Sequence, residues 1–266
     1  MAVMTAQSPT LLQILRAQKN VLSALTLRDI QTRFGSAPGF VIAILWPLSH
    51  IMLLVAINIL GNRIVPYGES AILWFALGAT PFMIVSYTSR FMMHGLIINR
   101  PLLVFPAISV FDVMLSRVLI EILVSASVIG SLALILVSLG VDFMPRDIKM
   151  AVSALGVALL LGIGLGILNS IMAMLIQQWA TIYMLFIVFL WITSGAYFVP
   201  SALPAGVREL LYFHPVLHCI EWLREAYFES YHSLILDKYY VAAIALWTIF
   251  AGLLLERLLR GRILSG

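Results

Sequence analysis

The sequence predicts an all-α polytopic membrane protein. Six transmembrane helices are expected, with an N-terminal amphipathic interface helix and two short outer helices before the last span. Three observations predict this. Six apolar stretches, at 38–60, 71–89, 118–139, 150–176, 180–199 and 239–255, approach or exceed the about 20 helical residues that cross a hydrocarbon core about 30 Å thick. Hydrophobic residues make up 62% of the 266, charged residues 11%, and mean hydropathy is +1.05, more apolar surface than a soluble fold encloses. The stretches run without alternation, which excludes a barrel and leaves helices, whose backbone groups are satisfied internally. One membrane domain over 1–266 follows.

At 8–36, Ser8 and Pro9 read as a helix start. Leu11, Ile14, Leu15, Val21, Leu22 and Leu25 then recur at helical spacing, with Arg16 and Lys19 off the stripe, the pattern of a basic helix in the membrane interface. Charges from Arg16 to Arg33 break up this segment, so it does not read as a signal peptide. The first span carries Pro47, which is expected to kink it, together with His50 and Asn58. Asn58 reads as interhelical glue. His50 reads either as lining a path or as hydrogen-bonded within the bundle.

Between the second and third spans, 94–112 is too polar and proline-broken to span and too apolar for a solvated loop. Pro101 and Pro106 bracket at most about one turn showing Leu102, Leu103, Val104 and Phe105, which suits either docking into a partner's groove or tucking against the bundle. Glu121 follows Arg117 at i, i+4 and is expected to pair with it. Gly162 and Gly166 in the fourth span predict close helix approach. After the fifth span, 200–238 reads as two short outer helices divided at His214-Pro215, lying in the outer interface or dipping into it.

Basic residues orient the chain. With both termini in the cytoplasm, the inner segments hold Arg16, Lys19, Arg28, Arg33, Arg90, Arg100, Arg117 and the arginines after 256, while acids outnumber bases outside. The positive net charge is thus a topology signal, and no nucleic-acid partner is expected. A phosphate-cradling loop needs Gly-Lys before Ser or Thr; Lys19, Lys149 and Lys238 do not fit. No nucleophile elbow, His-Glu-x-x-His or Cys-x-x-Cys occurs, and Cys219 is alone. His214 and His218 lack an obvious third ligand, so neither a catalytic residue nor a metal is expected. An enzyme acting through Glu121 or Asp112, and a channel, are the readings from other classes.

Two stretches carry a family resemblance. Ile98-Asn-Arg-Pro-Leu-Leu-Val-Phe-Pro106 is similar to the cytoplasmic coupling segment of type-2 ABC (ABC-2) exporter permeases, and 210–228, Leu-Leu-Tyr-Phe-His-Pro through Ala-Tyr-Phe, is similar to their outer gate-helix region. The whole chain resembles the capsular polysaccharide export permeases, with O-antigen and teichoic acid permeases as relatives. His214 stands where many relatives have Asn. The resemblance implies that Asn99, Arg100, Pro101, Leu102, Leu103, Val104, Phe105 and Pro106 couple to a separate ATPase subunit, two copies of which bind ATP and Mg for a homodimer. It implies a bacterial inner-membrane location, a lipid-linked polysaccharide cargo and a possible periplasmic adaptor. Arg16, Lys19, Arg28 and Arg33 become inner-mouth residues that attract a polyanion. Trp46, Tyr87, Arg90, Tyr183, Trp191 and Tyr197 become cargo-path candidates, and His214, Pro215, Glu221, Trp222 and Arg224 mark the outer gate.

Overall fold

A computed structural model describes residues 10–35, 37–61 and 63–265; Ser8 and Pro9, read above as a helix start, lie outside them. Nine α-helices form among these residues: α1 Leu11–Phe34, α2 Ala37–Leu60, α3 Ala71–Asn99, α4 Val110–Ser138, α5 Ile148–Leu175, α6 Trp179–Thr193, α7 Ala205–Leu211, α8 Pro215–Tyr227 and α9 Lys238–Ser265. Single 3-10 turns occupy Arg100–Val104 and Pro200–Ala202.

Among the described residues, five helices are long and apolar enough to cross a membrane: Pro38–Leu60, Ala71–Val104 counting the 3-10 turn, Val110–Ser138, Ile148–Leu175 and Lys238–Ile263. The sixth expected span differs. α6 has 15 residues, about 22 Å at about 1.5 Å each. It ends because Ser194 turns its hydroxyl back onto the Trp191 carbonyl at 2.8 Å and Gly195 takes φ +80°, a left-handed conformation that stops a helix and favours glycine. Residues 196–199 continue without helix.

The inner ends of α3 and α4 also depart from expectation. α3 continues to Asn99, and α4 begins at Val110 behind a capping box in which Ser109 and Asp112 exchange hydrogen bonds. Much of the expected 94–112 loop is therefore helix.

α3 and α5 form the central pair, with α2 and α4 against α3 and α9 against α5. The glycines explain the approach. A Cβ at Gly162 would stand 3.0 Å from Thr88 Cβ and 3.2 Å from Val85 Cα, and one at Gly166 would stand 2.6 Å from Met92 Cβ. On the other side of α5, a Cβ at Gly252 of α9 would stand 2.6 Å from Ile167 Cγ2 and 3.2 Å from the Leu168 nitrogen. α3 is buried along most of its length, whereas α2 and α9 leave most of their apolar surface outward. Asn58 does not join helices, because its amide donates to Leu54 of its own helix at 2.7 Å.

α8 packs against α3, α5 and α9, and Val216, Leu217, Cys219 and Ile220 are fully buried. α7, by contrast, has no buried residue. α1 packs on α4 and α2 through Leu25 and Phe34, while Leu11, Leu12 and Leu15 in its first turns are exposed.

The glycine seam makes a test. Gly166→Val should destabilise the fold by about 1–3 kcal/mol through overpacking, seen as a lower melting temperature in detergent. Gly156→Ala, whose Cβ meets nothing within 4 Å, should leave it unchanged.

Candidate functional site

Three constellations collect the singled-out residues. The first is the corner where α1, α3 and α4 meet. Asn99 is buried at the end of α3; it accepts from Arg28 Nη1 at 2.7 Å and donates to the Gly95 carbonyl at 3.0 Å. Arg117 Nε lies 2.9 Å from Asp29 Oδ2, close enough for an ion pair although the N–H is not aligned to donate. Glu121 pairs with Arg33 of α1, not with Arg117. Side chains on α1 reach both charges of α4 directly, and the expected i, i+4 pair is displaced. Asp112 is held by Ser109 and Gln18. These bonds fasten α1 to the α3–α4 corner. Of the segment 99–106, Asn99, Leu102 and Leu103 turn inward, while Arg100, Pro101, Val104, Phe105 and Pro106 face outward, with Val104 81% exposed. Arg16 and Lys19 are exposed on α1; Arg28 and Arg33 are half-buried and engaged as described.

The second constellation is aromatic. Trp46 is exposed and stands edge-on to His50. His50 Nδ1 lies 2.7 Å from the Tyr87 hydroxyl, so the alternative of a hydrogen bond within the bundle is the one seen. Arg90 lies over the Tyr87 ring, 5.7 Å from its centroid. Trp191 packs between Phe82 and Tyr197, and Arg63 approaches the outer face of Tyr197. Tyr183 differs from the expectation of an open stacking face. It is 3% exposed and its hydroxyl donates to Ser89 at 2.7 Å, because α6 folds it back onto α3.

The third constellation is the outer cluster around Arg224, which is fully buried. Its Nη1 donates to the Gly195 carbonyl at 2.9 Å and to Glu221 at 3.1 Å, and Nη2 donates to the Ala196 carbonyl at 3.0 Å. The guanidinium lies 4.0 Å from the Trp74 ring centroid, a cation–π contact out of water. Glu221 Oε2 accepts from Tyr231 at 2.5 Å and Ser233 at 2.7 Å. One side chain therefore satisfies carbonyls of the non-helical stretch that follows α6. Trp222 stands near Lys238. His214 caps α8: its Nδ1 accepts from the Leu217 N–H at 3.1 Å, the service an Asn side chain gives at this position. Pro215 takes the first helical turn. His218 Nδ1 accepts from the Asp237 N–H at 3.0 Å, which leaves Nε2–H to donate to the Tyr212 carbonyl at 2.7 Å.

Gln18 and Tyr231 were not singled out in the sequence, and neither Asp29 nor Trp74 was expected as a partner of a buried arginine. Their partners stand tens of residues away, and no local spacing announces them.

Removing Arg224 would strand Glu221 in the core. Arg224→Ala should destabilise by about 3–5 kcal/mol, and Arg224→Lys should not restore the wild-type melting temperature, since an ammonium cannot fork between carbonyls. Burial, ahead of the opposing charges of Asp237 and Glu221, lowers the pKa of His218 from the ordinary 6.5. Its neutral form is the one favoured in the fold, so the stabilisation is complete above 6.5 and is lost as pH falls below it. Melting temperature should drop with acidification below 6.5, and His218→Gln should flatten that slope.

The chain matches the family model described as ABC-2 type transporter over residues 20–228. It is 28% identical over 242 residues to the polysialic acid transport protein KpsM of Escherichia coli, covering 90% of this chain and 93% of that one. It is 26% identical to the capsule polysaccharide export inner-membrane protein CtrC of Neisseria meningitidis serogroup B, over 81% and 82% of the two chains. Against the capsule polysaccharide export inner-membrane protein BexB of Haemophilus influenzae it is 24% identical, over 82% and 83%. The family match runs from within α1 to just past the end of α8, over most of the residues of the three constellations, and the chain belongs to the ABC-2 type transporter family.

Proposed function

We propose that the chain is the inner-membrane permease subunit of an ATP-driven exporter that moves lipid-linked capsular polysaccharide outward. The observation that carries this reading is the near full-length likeness to capsule polysaccharide export proteins. Within the chain, the exposed corner at Arg100 and at Val104–Phe105 supports it, because it has the apolar, protruding character of a docking element. A separate ATPase subunit, present in two copies, binds ATP and Mg and docks there; α1 is fastened to the same corner and moves with it. Two permease chains form a cyclic pair around the path. Both termini lie in the cytoplasm, and a periplasmic adaptor receives the cargo outside.

Six crossings are completed by α6 together with 194–199, whose carbonyls Arg224 satisfies in place of a helix. The first turns of α1, with exposed leucines beside Arg16 and Lys19, lie in the cytoplasmic interface. Trp46, Tyr87, Arg90, Trp191 and Tyr197 face the cargo, and His214, Pro215, Glu221, Trp222 and Arg224 shape the outer gate.

The test is a mild-detergent pull-down of tagged chain with an ATPase assay. A stoichiometric nucleotide-binding subunit is expected to co-purify with vanadate-sensitive activity. Phe105→Asp and Arg100→Glu should each weaken that association about 10- to 30-fold, as losing an interface anchor of about 1.4–2 kcal/mol does. A chain that comes down without an ATPase, or mutants that bind and stimulate like wild type, would reject the coupling role.

A further inference from the structure

A cavity of 290 Å³ opens beside the α1–α3–α4 corner, lined by Thr32 and Arg33 of α1, Phe91, His94 and Ile98 of α3, and Arg117 of α4. No carboxylate is among these lining residues. Its two arginines keep donors without an aligned acceptor: Arg33 Nη2 has none, and Arg117 Nε, ion-paired with Asp29 at 2.9 Å, makes no aligned hydrogen bond. The Arg117 side chain is 5% exposed. Buried donors of charged groups are seldom left unmet, because each forfeits its hydration. Asp29 Oδ1 is also without a partner, but Asp29 is not part of the cavity lining.

Charge points the same way. Arg28, Arg33 and Arg117 lie within electrostatic reach of one another, with Asp29 and Glu121 opposing them, so one positive charge remains uncancelled. Arg90 adds another near His94 at the mouth. Gly95 makes the arrangement possible, since a Cβ there would stand 3.0 Å from Arg117 Cγ.

Position and size limit the ligand. Arg117 sits one helical turn before the buried Glu121 on a helix long enough to span, which places the cavity at headgroup level. Its walls include the aromatic Phe91 and the exposed aliphatic Ile98. The volume lies at the lower end of small-molecule sites, about 300 Å³, enough for one headgroup and too small for a run of sugars.

We propose that this cavity binds the phosphate of an anionic lipid headgroup, with Arg33 and Arg117 as the donors. The phosphate belongs either to a resident inner-leaflet phospholipid or to the lipid anchor of the cargo, and in the second case the inference rests on the export reading above. Arginine forks suit phosphate oxygens, and the inner leaflet supplies anionic lipid.

The experiment uses the full chain, with whatever subunit co-purifies, in detergent. Native mass spectrometry would titrate dioctanoyl phosphatidylglycerol against dioctanoylglycerol, which lacks the phosphate. Wild type is expected to retain about one phosphatidylglycerol per chain and no dioctanoylglycerol. Thr32→Glu, on the exposed rim, should weaken phosphatidylglycerol about tenfold by repulsion at close range, while Thr32→Gln retains it. Wild-type retention by Thr32→Glu, or equal retention of the two lipids, would overturn the proposal. The ATPase arm separates the sources. A tenfold rise in half-saturating glycolipid for Thr32→Glu supports the cargo anchor; an unchanged value beside lost phosphatidylglycerol supports a resident phospholipid. The mass-spectrometric readout needs no ATPase, so a failed export reading leaves this site testable.

Discussion

The close backbone contact between α3 and α5 is the constraint on which the rest of the structure hangs. It exists because Gly162 and Gly166 present no side chain where Val85, Thr88 and Met92 must sit. In lipid the apolar tails outside a helix are as comfortable as a neighbouring helix, so association depends on packing that only small residues permit. With α9 seated on the opposite face of α5 through Gly252, the helices α3, α5 and α9 make one slab. α2 and α4 lean on its α3 side, and α8 is wedged against all of its members.

Two buried charge clusters at opposite ends of that slab do different jobs. At one end, Asp29–Arg117 and Arg33–Glu121 fasten α1 to the α3–α4 corner. At the other end, Arg224 holds a stretch of chain that has left the helix. Buried pairs of this kind add little net stability, but losing one partner is severely disruptive, which is how a fold fixes one arrangement over its neighbours.

The helical class, the places of the long spans and the glycine seam were legible in the sequence, since run length and small-residue spacing are local properties. The end of α6 was legible too: Ser194-Gly195 is a stop signal, overruled in the reading by the apolar run through Val199. The pairing of Glu121 was not, because Arg33 lies 88 residues away and spacing along α4 favours Arg117 equally well. Tyr183 misled for the same reason. An aromatic in an apolar run says nothing about whether it turns toward a path or, as here, onto Ser89. The capping service of His214 was hidden by residue type, since His is an uncommon substitute for Asn at a helix start.

The Arg224 cluster bears on how the chain is made. Trp74, Gly195 and Ala196 all precede Arg224 in the sequence. When the guanidinium emerges during synthesis its acceptors have already been delivered to the membrane, and it can enter the protein without first being stranded in lipid. At the other end the α1 members, Asp29 and Arg33, are synthesised long before their α4 partners, Arg117 and Glu121. They belong to a helix at the bundle's edge, where water can solvate them until their partners arrive. The direction of translation and the direction of burial agree at both ends.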